Sequence, residues 1–438
     1  MIFPRVWAVA LILTGCAGGA AALDVPHSPH RAKATEKHLT EPHRAIGHHA
    51  AAAKAAQPAA KSTTSHTGAV HSTSKAAPAG QARLTARGNV RAYARRGALA
   101  SRRHHSYERF TASSFAKGDF LADDVTAGED PVVRQAAIDA LGDMNGTAVV
   151  IDPSNGRILA MVNQKLALSP GAEPCSTIKL TVAMAALSEG LVTRDTPVQL
   201  AGFRMNMTQA LAKSNNLYFE ELGRELGFDR VRHYANQFGL GELAGYNIEG
   251  EQLGVYPDQE LPAAEGGVGR MCSFGQGVSL TPLQLGAFVA AIANGGTLYY
   301  LQHPATPEEA ANLEPKVKRT LDIARYVPDI EDGMAGAVEY GTARRLRANF
   351  NELPVFGKTG TCSDKGTRFG WFASYSDSPQ GSLVTVFFLE GGRPTFGPRA
   401  AELTGAFYKN LWDRNWFASK GQQDAAAIQT APSQQAQP

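Results

Sequence analysis

The residues of this chain with the right types and spacing for chemistry fall in three short groups: Ser176-Thr177-Ile178-Lys179, Ser214-Asn215-Asn216 and Lys358-Thr359-Gly360-Thr361. In the first, a serine hydroxyl has a lysine amine three residues on, and positions three apart share one face of a helix. Pro174 and Cys175 break the chain, and Leu180 to Leu187 (LTVAMAAL) reads as a buried helix running onward. Ser176 therefore falls at a helix start, near free backbone N–H groups and the positive end of the dipole. A lysine partly desolvated there can lose its proton and serve as a base for the hydroxyl. The same spacing recurs at Ser72/Lys75 and Ser114/Lys117, in polar, helix-poor surroundings that read as solvated surface.

The second group lies between Met207 to Lys213 (MTQALAK) and Leu217 to Leu226, both of helical period, so it marks a break between two helices. Ser214 could relay a proton to a leaving group, and the Asn216 amide could bind a backbone carbonyl. An ordinary N-cap explains the same residues and is the better local explanation. The third group starts a strand; a turn-rich stretch (CSDKGTR) follows, and Phe369 to Tyr375 (FGWFASY) reads as the return strand of a hairpin. Gly360 permits close backbone approach by a substrate, Lys358 supplies positive charge, and the Thr359 and Thr361 hydroxyls could bind a carboxylate. A plain turn accounts for Lys-Thr-Gly alone.

Taken together and in this order, the groups resemble the active-site motifs of penicillin-binding transpeptidases and serine β-lactamases. The resemblance runs from about Asp130 to about Trp412. It is carried further by TAVVIDPSNGRILAMV (Thr147 to Val162), KSNNLYFEELGRELGFDRVRHYANQFGLG (Lys213 to Gly241), GQGVSLTPLQLGAFVAAIANGG (Gly275 to Gly296), the GTA at Gly341 to Ala343, and GWFASY. It implies a mixed α/β fold of the α+β kind: an antiparallel sheet flanked by helices, with an inserted all-helical subdomain. It also implies roles. Ser176 would be the acylated nucleophile and Lys179 its general base. Ser214 and Asn216 would flank the cleft from the helical subdomain. Lys358, Thr359, Gly360 and Thr361 would line it from the strand. The backbone N–H groups of Ser176 and Thr361 would form the oxyanion hole, such donors being worth about 3–4 kcal/mol each when removed.

The implied substrate is a D-alanyl-D-alanine peptide lying along the Lys358 strand by β-augmentation. The implied reaction is peptidoglycan D,D-transpeptidation or D,D-carboxypeptidation, with β-lactams acylating the same serine. A serine β-lactamase is the enzymatic alternative, but it needs a deacylation base. No Glu-x-x-Leu-Asn is present in the expected interval, the second motif is SNN rather than SDN, and Glu249 and Glu251 lie in a segment (NIEGEQLGVYP) that matches the transpeptidases. An idle penicillin-recognising sensor or scaffold is the alternative of another class, and three intact motifs argue against it. Other cell-wall synthesis proteins are expected partners; no cofactor, metal or nucleic acid is.

Two positions depart from the family pattern. Leu180 stands where a proline often follows the lysine. Cys175 stands where glycine is usual, and Cys362 follows the oxyanion threonine; some class A carbapenemases carry a disulfide joining the corresponding pair. The resemblance therefore implies a Cys175–Cys362 disulfide, with Cys272 (MCSFGQG) as a competing partner for Cys362 and buried free thiols as the other alternative.

The elements that must position these residues occupy the second part of the chain. Residues 1–22 read as a signal segment: Arg5 precedes an apolar run, and Leu13-Thr14-Gly15-Cys16 resembles a lipobox, so cleavage before Cys16 and lipidation of its thiol would tether the mature chain to a membrane. Ordinary signal cleavage near Ala20-Ala21-Ala22 and retention as a signal-anchor are the alternatives. Each places the domain on the periplasmic side of a bacterial envelope, where a disulfide persists. Residues 23–120 read as a disordered, basic, His/Ala-rich linker. Residues 24–110 hold 15 Lys/Arg against 4 Asp/Glu and ten of the twelve histidines, whereas 111–438 carry a net charge of −9. The overall +3 hides a basic arm on an acidic domain. The histidines show no fixed metal-ligand spacing. Residues 121–418 are left for the catalytic domain, with strands at its two ends and helices between, and 419–438 read as a disordered Ala/Gln tail.

Overall fold

The computed structural model describes residues 111–420 apart from Pro394. The signal segment with Cys16, the Ser72/Lys75 pair, the basic arm up to residue 110 and the tail from 421 onward lie outside the described residues.

Helix α1 (Pro131–Leu141) starts on an Asp130 cap with proline in its first turn, an arrangement that satisfies two free N–H groups. Strands β1 (Gly146–Asp152) and β2 (Arg157–Val162) form the opening hairpin. A long insertion follows. It runs through α2 (Gln164–Ala167), α3 (Lys179–Ser188), the short hairpin β3 (Val198–Leu200) and β4 (Phe203–Met205), α4 (Met207–Lys213), α5 (Asn216–Leu226) and α6 (Phe228–Gln237). It continues through α7 (Gly267–Phe274), α8 (Pro282–Ala293), β5 (Thr297–Tyr299), α9 (Pro307–Ala311), β6 (Val317–Thr320) and α10 (Val327–Glu339). The chain then returns with β7 (Val355–Asp364), β8 (Thr367–Ser378) and β9 (Gly381–Gly391), and closes with α11 (Gly397–Asp413).

The five long strands pair antiparallel in the order β2-β1-β9-β8-β7, so both ends of the sequence build one sheet and β7 is left at its edge. Alternation along the strands sends side chains to two cores. On β9, Val384, Val386 and Phe388 face a cluster with Leu283, Phe288 and Ile292 of α8, while Leu383, Phe387 and Leu389 face one with Ala137 of α1 and Phe407 of α11. Helices therefore cover both faces of the sheet, as the resemblance implied.

The structure differs from the sequence reading at two places. The stretch CSDKGTR is strand except for its centre: β7 runs to Asp364, β8 starts at Thr367, and only Lys365-Gly366 turn, with φ of 45° and 87°. That two-residue turn with both φ positive matches the twist of the flanking strands. Ser114, expected on a solvated surface within the linker, is buried; its hydroxyl donates to the Arg393 carbonyl at 2.9 Å and its carbonyl accepts from Asn145 N–H at 2.8 Å. The side-chain-free backbone of Gly391 and Gly392 makes the room, so packed chain begins ahead of residue 121.

Candidate active site

Cys175–Ile178 is a 3-10 turn that feeds directly into α3. The apolar run after Lys179 buries α3 on every side through Leu187, which carries the lysine into the interior with it. Lys179 Nζ lies 2.6 Å from Ser176 Oγ, and it donates to Asn216 Oδ1 at 2.8 Å and to the Ser273 carbonyl at 2.6 Å. The rings of Phe219 and Phe274 stand 5.8 and 5.9 Å away, closing the amine off from water. Burial pushes this amine down to about 7, with the Glu220 carboxylate pulling the other way. Near neutral pH it can therefore take the hydroxyl proton.

The second group resolves into two jobs. α4 ends at Lys213 with Ser214 in the left-handed region, φ 54° and ψ 46°. Asn215 is the cap of α5, its side chain accepting from Tyr218 N–H at 3.0 Å. The capping explanation thus belongs to Asn215, which leaves Asn216 and Ser214 turned to the two lysines. Asn216 meets Lys179, and Ser214 Oγ accepts from Lys358 Nζ at 2.8 Å.

On β7, Lys358 is fully buried and donates also to the Thr359 carbonyl at 3.0 Å. Its amine is held well below the ordinary lysine range, first by burial and then by Lys179 facing it. A Cβ at Gly360 would lie 2.8 Å from the Pro174 carbonyl oxygen and 3.1 Å from Thr177 Cγ2, so glycine there also permits the close approach of the turn that carries Ser176. Thr361 is exposed and accepts from Gly397 N–H at 2.9 Å, with its own hydroxyl proton still available. Thr359 is buried, its hydroxyl 2.7 Å from that of Thr342. Among the described residues β7 has a strand partner on one side only, so its other edge, on the side of the Ser176 turn, carries no strand.

Cys175 and Cys362 are bonded in the structure, their Cα atoms 5.5 Å apart. Cys272 is free and buried in α7, against Gly223 of α5. Glu251, weighed as a deacylation base, accepts instead from the backbone N–H groups of Ala244 and Gly245, at 2.8 and 2.9 Å, and braces its own loop; Glu249 is exposed.

Sequence reasoning missed the Ser273 carbonyl, the two phenylalanine rings, Thr342 and the Trp371 indole, whose Nε1–H ties down the Glu173 carbonyl at 3.0 Å. A carbonyl contact has no residue signature. Thr342 had one, in the GTA segment.

The family model for the penicillin binding protein transpeptidase domain matches residues 146–409. Among similar proteins, the stage V sporulation protein D of Bacillus subtilis is 30% identical over 311 residues, covering 59% of this chain and 47% of that one. The peptidoglycan D,D-transpeptidase MrdA of Acinetobacter baumannii is 25% identical over 348 residues, covering 62% and 51%. The peptidoglycan D,D-transpeptidase FtsI of Escherichia coli is 27% identical over 246 residues, covering 46% and 41%. The chain thus spans about half the length of these relatives. A crystal structure of Pseudomonas aeruginosa PBP2 superposes with a TM-score of 0.55 at 24% identity, covering 65% of this chain and 74% of that one, which is a likeness of fold.

Proposed function

We propose that this chain, which belongs to the penicillin-binding protein transpeptidase family, is a serine-type D,D-transpeptidase or D,D-carboxypeptidase acting on the D-alanyl-D-alanine stem peptides of peptidoglycan, and that β-lactams acylate it. The observation that carries the reading is the 2.6 Å contact between Lys179 Nζ and Ser176 Oγ beside a strand edge without a strand partner among the described residues.

The chemistry follows from those positions. Neutral Lys179 takes the Ser176 proton as Oγ bonds to the penultimate carbonyl carbon of a peptide paired along β7. The N–H groups of Ser176 and Thr361 receive the developing oxyanion. The C–N bond then breaks as the proton that Lys179 took from Ser176 is handed on, by way of the Ser214 hydroxyl that Lys358 holds in place, to the departing D-alanine amine, which leaves Lys179 neutral for the second step. An amine or water accepts the acyl group in the second step. Because burial and Lys179 hold the Lys358 amine below the ordinary lysine range, a substrate carboxylate arriving near Lys358 and Thr361 would favour its charged form and be bound as an ion pair. Residues 121–418 would form this catalytic domain, with the Ser114 segment packed against it.

The test is covalent labelling with a fluorescent penicillin, with Ser176→Ala as control. Wild type should label at Ser176 and keep the adduct for many minutes, while the alanine variant stays dark. Rapid release of penicilloate would move the assignment to a β-lactamase. A folded wild type that never labels leaves the scaffold reading in front.

We place this activity in the cell envelope, tethered through a lipidated Cys16. No helix of the described residues is long and apolar enough to cross a membrane. Cys16→Ala should lose metabolic labelling with palmitate and leave the membrane fraction; retention in that fraction without a lipid label would favour a signal-anchor instead.

A further inference from the structure

We propose that Glu220 is a positioning residue for Lys179: it steadies the Ser273 peptide that receives the lysine amine, and it sets a carboxylate charge behind that amine. The proposal deepens the acyl-transfer reading and rests on it. Glu220 follows Asn216 by one turn of α5, so both reach toward the same neighbours. Asn216 Oδ1 accepts from Lys179 Nζ at 2.8 Å. From the next turn, Glu220 Oε1 accepts from Ser273 Oγ at 3.4 Å, and the Ser273 carbonyl in turn accepts from Lys179 Nζ at 2.6 Å. The second carboxylate oxygen, Oε2, accepts from Arg224 one turn further along, at 3.0 Å.

The packing of α5 on α7 makes this reach possible. A Cβ at Gly223 would lie 2.6 Å from Cys272 Sγ, so only glycine lets the two helices close at that level, bringing Glu220 over Ser273. The Glu220 side chain is only 16% exposed, which limits screening of its charge by solvent. Glu220 from α5 is the charged group acting on Lys179, while Lys358 of β7, itself held below the ordinary lysine range by burial and by Lys179, faces it, and the neutral Ser176, Asn216 and Ser273 are in contact. Burial drives the Lys179 amine toward its neutral form, and Glu220 opposes it. A base serves best with its midpoint near the working pH, because one driven too low accepts a proton weakly.

The experiment is the pH dependence of Ser176 acylation by a fluorescent penicillin, in the full chain, for wild type, Glu220→Gln, Glu220→Asp and Arg224→Gln. In wild type the rate should climb through a midpoint near 7. Glu220→Gln should move that midpoint down by about one pH unit, with a lower plateau. Glu220→Asp, which keeps the charge, should return it most of the way. Arg224→Gln changes an exposed side chain and removes the cation that shadows the carboxylate, so the midpoint should rise by about 0.3. A plateau that falls at an unmoved midpoint, or an Arg224→Gln midpoint at or below that of wild type, overturns the positioning role, because packing alone would do that. If wild type itself never acylates, this proposal falls together with the transpeptidase reading; normal wild-type acylation with immobile midpoints overturns this proposal alone.

Discussion

Lys179→Met is expected to lower the rate of Ser176 acylation by about three orders of magnitude while the domain stays folded. The substitution keeps a buried stem of four heavy atoms, with sulfur in place of Cδ, and removes the amine. Among the described residues, Ser176 then loses the one group in direct contact that can take its proton, since Asn216 and the Ser273 carbonyl touch the amine rather than the hydroxyl. Wild-type acylation should rise with pH through about 7, as the amine becomes neutral, and Lys179→Met should lack that limb. With two facing lysines, the midpoint observed belongs to the pair.

Stability gives a second, independent readout. The folded state holds Lys179 near 7, whereas the unfolded chain titrates it at 10.5. Between those values the unfolded state binds the extra proton, so folding stability climbs with pH from about 7 to 10.5, and the cost of burying the charge is complete below 7. That cost is on the order of 5 kcal/mol. Methionine removes it, but leaves the Ser273 carbonyl and Asn216 amide short of a partner, at about 1–3 kcal/mol each. Stability at pH 7 should therefore change little. From there toward pH 10.5 wild type should become steadily more stable than Lys179→Met, as read by urea unfolding at several pH values. A difference independent of pH would mean that the amine is not depressed in the folded state.

The motifs were legible because each is local: Ser176 and Lys179 are three residues apart where a 3-10 turn runs into α3, and Lys358 to Thr361 share a strand. The sheet was legible too, since the short apolar runs in TAVVIDPSNGRILAMV and GWFASY read as strands, and the structure buries them on both faces. What escaped was the part assembled across long separations. Lys179 meets the Ser273 carbonyl from α7, and Gly360 meets Pro174; nothing in either segment points to the other. The CSDKGTR stretch misled because polar residues crowd both sides of a two-residue turn, and on an edge strand polar residues at the tip are no bar to pairing. Ser114 misled because its packing depends on Gly391 and Gly392, far along the chain.

Breaking the Cys175–Cys362 link should cost both stability and acylation. The bond closes a loop with a sequence separation of 187, for which the chain-entropy model gives about 5 kcal/mol as an upper value. Part of that is offset locally: Cys175 has φ of 53°, a conformation that favours glycine and costs any residue with a Cβ on the order of 1 kcal/mol or more. The position therefore holds a strained cysteine where glycine would rest easily, and the bond to Cys362 is the compensation. The functional cost follows from where the two residues sit. Each directly adjoins one proposed oxyanion donor, Ser176 on the turn and Thr361 on β7, so the bond fixes the spacing of two N–H groups that belong to different elements. The indole of Trp371 on the Glu173 carbonyl and the tight Gly360–Pro174 contact also hold turn to strand, so the gap should loosen rather than open. Cys175→Ser with Cys362→Ser should thus unfold several degrees lower and acylate about tenfold more slowly, with reduced wild type matching it in both respects. Denatured, non-reduced wild type in which Cys175 and Cys362 both react with a thiol reagent would end this account. A serine pair that acylates at the wild-type rate would confine the bond to a structural role.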